Sequence, residues 1–534
     1  MPERPDRPDR SERPDRPDRG RPDRGRPDGT GAPRRGGPPG PRRDGGGPDR
    51  AGRAPARERL RGSDAPRTVA FRVLRQVGQD DAYANLVLPG ALSREGLVGR
   101  DAAFATELTY GTLRLQGLYD QVLARVVDRP LDKLDPPTLD VLRLGAHQLL
   151  SMRVPDHAAV ASTVGLARQE LGIGSSGLVN ACLRKITDKD LAGWLDEIAP
   201  ADGEDRDATL ATRHSHPQWI VRALRQALVG HGRAAEELED LLAADNAPAD
   251  VSLLARPGLI EVADLLADGG SAGAWSPFAV TMAAGSPGGL RAVRDSRARV
   301  QDEGSQLVAA ALVGAGLDDD EPRDVREPDP GRSGERWLDL CAGPGGKSSL
   351  LSALAMRDGA TGVAVELAEH RTRLVEQAVR GAERVWQVRT GDGREVGEDE
   401  PGGYDRVLVD APCTGLGALR RRPEARWRRT PGDLAGLAQL QRSLLASGLQ
   451  AARPGGVVAY VTCSPHLAET TVVVEDAVRA ARKQGVEVEL LPTAEVLDAA
   501  VGRPVTGAAA GTSVQLWPHA HGTDGMFLAL LRRR

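Results

Sequence analysis

Lysine is almost missing from this chain: five of its 71 basic residues are lysine and the rest are arginine. With abundant Ala, Gly, Pro and Asp, that bias reflects a GC-rich genome rather than a functional choice, and it makes each surviving lysine informative. Cysteine is rarer still. Cys182, Cys341, Cys413 and Cys463 lie far apart, with no CxxC pair and no histidine spacing suited to zinc. This excludes a zinc knot, so no metal is expected and reduced thiols are the default. No run of about eighteen apolar residues occurs, so no membrane-spanning helix is expected. An apolar leader core is also lacking, which points to the cytoplasm. Nor is there a large excess of charge. A net charge of −4 argues neither for nor against nucleic acid, so any RNA contact must rest on local patches.

The chain, at 534 residues, has length for several domains. Residues 1–64 are Arg-Pro-Asp repeats followed by Gly, Pro and Arg, a composition that cannot bury a core and predicts disorder. The segment holds 18 arginines against 12 acids, a surplus sufficient for weak RNA retention, although a solvated tail is the plainer reading.

Between 65 and 195 the pattern is helical. Val69, Val73, Leu74 and Val77 share one face, and Leu108, Leu118, Leu142 and Leu144 continue the theme. Asp135-Pro136-Pro137 and Val154-Pro155-Asp156 separate the helices. Cys182 lies on an apolar face, where a thiol acts as a small hydrophobe. Residues 205–315 suggest a small α/β linker or RNA-binding subdomain, with a helix around Trp219 to Leu228 and a strand at Val251–Leu254. Residues 316–335 are charged and Pro-containing, and are expected to form a disordered loop.

The segment 336–534 reads as a Rossmann-like α/β domain. Trp337-Leu338-Asp339-Leu340 predicts a strand running into Cys341-Ala342-Gly343-Pro344-Gly345-Gly346-Lys347. Glycines at such a turn let a ligand approach backbone N–H groups. A phosphate loop would need glycine where Cys341 stands, and the dinucleotide fingerprint would need it at Ser348. S-adenosylmethionine is the remaining candidate. The next strands end at Glu366, placed for the ribose hydroxyls, and at Asp392, placed for the adenine amino group.

Two further strands each end at a cysteine beside a proline: Val407-Leu408-Val409 before Asp410-Ala411-Pro412-Cys413, and Val457 to Val461 before Thr462-Cys463-Ser464-Pro465. In open α/β sheets ligands bind beyond the carboxyl ends of the strands. Carbon 5 of cytosine is a poor nucleophile until a thiolate adds to carbon 6. That chemistry needs a cysteine of lowered pKa, a group protonating the ring, and a base for release. Asp410 is placed to hold the ring nitrogen and exocyclic amine. Spacing alone leaves open which cysteine attacks. Arg420, Arg421, Arg422, Arg426, Arg428 and Arg429, with Trp427 among them, suggest phosphate contacts and base stacking.

Asp410 to Gly417 with Arg421-Arg422-Pro423, and Thr462 to Pro465 with Glu469, resemble the RNA 5-methylcytosine methyltransferases. The stretches Val154 to Val160 and Gly177 to Arg184 resemble the helical RNA-binding domain of NusB, which points to the RsmB (Sun/Fmu) branch acting on 16S ribosomal RNA. The resemblance runs from about 66 to 534. It implies a multidomain fold: an all-α NusB-like domain, a small α/β subdomain and a Rossmann-like methyltransferase domain, expected as a monomer. It further implies Cys463 as nucleophile, Cys413 for release, and cofactor contacts from Cys341 through Lys347, Glu366, Asp392 and Asp410. One departure is Thr470-Thr471 after Glu469, where the family more often has Asn-Glu. The same reaction on transfer RNA, and a noncatalytic ribosome-assembly factor, are the competing readings.

Overall fold

Amphipathic helices build the first layer. The computed structural model describes residues 65–80, 82–200, 205–282, 287–505 and 511–534, so the tail expected at 1–64 lies outside the described residues. Helix Ala65–Gln79 buries the predicted stripe of Val69, Val73, Leu74 and Val77. It packs on helices Ala84–Arg94, Gly99–Arg114 and Pro136–Leu150. Leu108, Leu118, Leu142, Leu144 and Cys182 close the same core. Each leucine so buried contributes about 1.5–3 kcal/mol relative to exposure. Pro136 opens its helix at the first position, where its missing N–H costs nothing.

The stretch expected as one subdomain, 205–315, is divided among three cores. Helices Arg206–Arg213, Gln218–Gly230 and Leu238–Asn246 pack with Leu416, Leu419, Ala425 and Trp517 of the catalytic half. Strands β1 (Val251–Ala255), β2 (Ser271–Ala272), β3 (Ala279–Met282) and β4 (Ala298–Val300) form an antiparallel sheet, ordered β2-β3-β1-β4, over its own small core. Helix Glu303–Gly314 is apolar on every side. A small sheet could cover only one face of it, and it is buried inside the catalytic core instead.

The loop 316–335, expected to be disordered, is seated on the domain. Val325 is fully buried and its N–H donates to the Ala500 carbonyl at 3.0 Å. The charges that suggested disorder are neutralised internally: Arg323 pairs with Asp329, Arg332 with Asp358, and Glu335 with Arg406.

The catalytic sheet comprises β5 (Arg336–Asp339), β6 (Thr361–Glu366), β7 (Trp386–Thr390), β8 (Tyr404–Asp410), β9 (Ala452–Thr462), β10 (Val488–Leu490), β11 (Ser513–Gln515) and β12 (Phe527–Arg533). Its order is β10-β12-β9-β8-β5-β6-β7, with β11 paired to β12. Strands β5 to β9 run parallel, and β12 runs antiparallel to β9. Covered on both faces, the parallel strands read as unbroken apolar runs such as Val407-Leu408-Val409. Asp339, Glu366, Asp410 and Thr462 therefore finish at one edge of one sheet. The architecture is the multidomain helical plus Rossmann-like arrangement expected.

Candidate active site

Between β5 and helix Gly346–Asp358 the chain turns tightly through Cys341 to Gly345. Gly345 sits at φ +96°, a left-handed conformation that favours glycine. A Cβ on Gly343 would lie 2.0 Å from Oε2 of Glu366, so the absent side chain is what lets loop and carboxylate meet. Arg371 ties the two, donating to the Gly343 carbonyl at 3.0 Å and lying 3.3 Å from Glu366. Next in the chain is Leu367, 68 % exposed, a large apolar side chain left open at the rim. Asp392, two residues past β7, is bound by Arg394, which holds its carboxyl below the usual range.

Burial pushes the Cys341 thiol well up, and the nearby carboxylates of Asp339, Asp410 and Glu366 add to this. Ala342 N–H donates to the Val365 carbonyl, and the Pro344 carbonyl accepts from Arg299. Lys347 Nζ lies 2.6 Å from Asp410 Oδ2. Burial pulls this ammonium down, but Asp410 and Cys463 outweigh it and the net shift is upward. Burial likewise pushes Asp339 up to about 7, against hydrogen bonds from the Ser348 hydroxyl and the Cys341 backbone N–H. A side-chain-free cradle, two strand-end carboxylates and an exposed apolar rim fit a ligand with hydroxyls, an aromatic base and a cation. S-adenosylmethionine is such a ligand.

The two strand-end cysteines meet, with Cys413 Sγ 3.4 Å from Cys463 Sγ. Their environments differ. Hydrogen bonding from Cys413 lowers Cys463, and Arg422 and Lys347 add to this against the cost of burial. Cys413 is raised, first by hydrogen bonding to Cys463, then by burial, by the Cys463 charge and by Glu469. The two shifts run in opposite directions and favour a thiolate at Cys463 over one at Cys413. The loop carrying Cys413 is fixed by Glu469, whose Oε1 accepts from Thr414 N–H at 2.8 Å and from Gln441 Nε2 at 3.1 Å. Gly417 N–H donates to the Cys463 carbonyl at 2.9 Å, which locks the two loops together.

The arginine cluster is corrected by the structure. Arg420 and Arg421 both pair with Asp302 and Asp524. Arg426 is fully buried and donates to the Arg114 and Ser215 carbonyls and to Asn246 Oδ1. Trp427 packs on Gly117 and Arg428 caps the Val77 and Ala82 carbonyls, so these side chains face the helical domain rather than phosphate. Burial beside carboxylates and carbonyls consumes the donors that an RNA backbone would need. Arg422 lies over the Tyr83 ring at 5.1 Å, and its charge is among those that lower Cys463.

Two contributors went unseen in the sequence. Gln441 is one of three glutamines in an Ala/Leu-rich helix, Asp433–Ala451, and carries no motif. His231, distant in sequence, donates to the Pro465 carbonyl at 3.0 Å and so supports the loop after Cys463. Neither gives a local signal.

The family model for 16S rRNA methyltransferase RsmB/F matches residues 329–532, and that for the NusB family matches residues 64–188. A relative from Mycobacterium tuberculosis, whose name goes no further than methyltransferase, is 50% identical over 476 residues, covering 89% of this chain and 98% of its own. The ribosomal RNA small subunit methyltransferase B of Pseudomonas syringae is 30% identical over 483 residues, covering 87% and 96%. The crystal structure of PH0851 shares the fold at a TM-score of 0.70 and 21% identity, covering 88% of this chain and 98% of that one. The chain belongs to the S-adenosylmethionine-dependent 16S rRNA methyltransferases of the RsmB/F family, with a NusB domain preceding the catalytic one.

Proposed function

We propose that the protein methylates carbon 5 of a cytosine in 16S ribosomal RNA, with Cys463 as the covalent nucleophile. The observation that carries this reading is the 3.4 Å cysteine pair, with cationic groups acting on Cys463 and a carboxylate acting on Cys413. RNA binding alone has no use for a polarised thiol pair.

S-adenosylmethionine, when bound, supplies an electrophilic methyl group. Gly343, Gly345, Glu366 and Asp392 are the residues proposed to hold it, with Cys341, Ala342, Pro344, Gly346 and Lys347 completing the loop. The Cys463 thiolate adds to cytosine carbon 6, and the displaced electron pair makes carbon 5 nucleophilic. Asp410, held by Lys347 at 2.6 Å, faces the ring nitrogen and exocyclic amine in this scheme, and the proton that the ring nitrogen takes up comes through it from the Lys347 ammonium. With the methyl group in place, carbon 5 loses its hydrogen as a proton, the ring nitrogen returns its proton to the Lys347–Asp410 pair, and the carbon 6–sulfur bond breaks with the electron pair returning to Cys463.

Cys413 serves this last stage for a physical reason. Its thiol is held high chiefly by the hydrogen bond to Cys463, and further by the charge there. Once Cys463 is bonded to carbon the charge is gone, Cys413 becomes more acidic, and its thiolate becomes available as a base. A denaturing gel with labelled RNA and cofactor tests the division of labour. Cys413→Ala should accumulate a denaturation-resistant protein–RNA adduct. Cys463→Ala should give neither adduct nor methylation. A trapped complex with Cys463→Ala and none with Cys413→Ala would reverse the roles.

A further inference from the structure

Gln301 is a buried primary amide with nothing to bind. Its residue is 6 % exposed, and neither Oε1 nor Nε2 has a hydrogen-bond partner among the described residues. Leaving such a group unpaired costs about 1–3 kcal/mol, which selects against it unless something else occupies it. The residue follows β4, whose Arg299 donates to the Pro344 carbonyl at 3.1 Å, so this edge of the small sheet is pinned against the glycine loop. The Gln301 N–H is itself fixed to the Ser252 carbonyl at 3.0 Å. Its Nε2 lies 3.7 Å from where a Cβ on Gly346 would stand.

Gly346 opens helix Gly346–Asp358, whose first N–H groups have no acceptor within the helix. A side chain at 346 would fill the space between those N–H groups and the amide. The gap is therefore bounded by helix N–H donors on one side and, on the other, by a side chain that both donates and accepts. A carboxylate suits the N–H groups and Nε2, and an ammonium suits Oε1. The amino-acid end of S-adenosylmethionine carries both charges on adjacent atoms.

Resting on the reading that S-adenosylmethionine binds the glycine loop, we infer that Gln301, contributed by the small antiparallel sheet, binds the methionyl carboxylate and ammonium of the cofactor. The β2-β3-β1-β4 sheet then completes the cofactor site rather than merely linking domains.

The test is calorimetry on the full chain with two probes, S-adenosylmethionine and 5′-methylthioadenosine, which lacks the amino-acid end. Gln301→Met keeps the side-chain length without hydrogen bonding. It should weaken S-adenosylmethionine by about tenfold or more, the loss of hydrogen bonds to charged groups, and leave methylthioadenosine unchanged. Gln301→Glu, which places a negative charge beside the carboxylate, should weaken it further. Retained methylthioadenosine binding shows that the variant has folded. Undiminished S-adenosylmethionine affinity in both variants overturns the inference, and so does an equal loss for both probes. Undiminished affinity with lost methylation would assign the amide to the target base and overturn it equally. Failure of the unaltered protein to bind S-adenosylmethionine would instead refute the reading on which the inference rests.

Discussion

Arg420→Gln separates the two accounts of the arginine cluster. In the structure Arg420 Nη2 is 2.9 Å from Asp302 Oδ2 and its Nε is 3.0 Å from Asp524 Oδ1, while Arg421 reaches the same two oxygens at 2.7 and 3.1 Å. Two cations and two anions balance. The side chains of Arg420, Asp302 and Asp524 are 9, 6 and 11 % exposed, so water screens them little. Removing one guanidinium leaves two buried carboxylates sharing the other. The expected cost is about 3–5 kcal/mol, against at most about 1 kcal/mol for an exposed pair. In a domain of this size that lowers the melting temperature by roughly 10 °C. The deficit should shrink at acidic pH, where the carboxylate left without a partner takes up a proton and no longer needs one. Adding Asp302→Asn should recover part of the loss at neutral pH. Thermal melts read the stability, and RNA affinity measured across a salt series reads the phosphate contacts. A phosphate-binding arginine would behave in the opposite way, with an unchanged melt and a salt slope reduced by about 0.7–0.9. That second pattern would refute the assignment of Arg420 to the interior.

Two further outcomes follow from the site. Because Arg422 and Lys347 help to hold Cys463 below the usual thiol range while Cys413 is raised, a thiol reagent should label Cys463 first, at lower pH than Cys413. Arg422→Gln removes a cation, so the labelling midpoint of Cys463, followed by peptide mass spectrometry, should move to higher pH; a midpoint that stays put would remove Arg422 from the site. Glu366→Ala should weaken S-adenosylmethionine by about tenfold or more in calorimetry while RNA affinity persists, since the buried carboxylate proposed to accept from the two ribose hydroxyls is lost. Undiminished cofactor affinity would take Glu366 out of the ribose contact.

What the sequence made legible follows from range. Strand ends are local events. An apolar run stopping at an acid or a cysteine identifies Glu366, Asp410, Cys413 and Cys463 without knowledge of any neighbour, and the parallel sheet then gathers them. The 3.6-residue stripe of Val69, Val73, Leu74 and Val77 is local too, and its burial follows directly. The errors come from partners far away in the chain. A charged loop looks disordered until Asp358 and Arg406 arrive to neutralise it. Helix Glu303–Gly314 looks like part of a small subdomain until the catalytic core encloses it.

The arginine cluster shows the same limit in its sharpest form. Six arginines beside a nucleotide-modifying site resemble a phosphate track because composition records the cations and not their acceptors. The acceptors are Asp302 and Asp524 for Arg420 and Arg421, and carbonyls of the helical region for Arg426 and Arg428, all more than a hundred residues from the arginines they bind. Arginine suits this work because its rigid fork satisfies several acceptors at once and is weakly hydrated. The cluster therefore joins the helical layer to the loop that follows Cys413, and one arginine, Arg422, remains to act on Cys463. Tyr83, at the start of the helical layer, lies against both Arg422 and Arg428 at 5.1 and 5.3 Å. The charge that lowers Cys463, the proposed nucleophile, is thus held in place by the same contacts that fasten the NusB domain to the catalytic one.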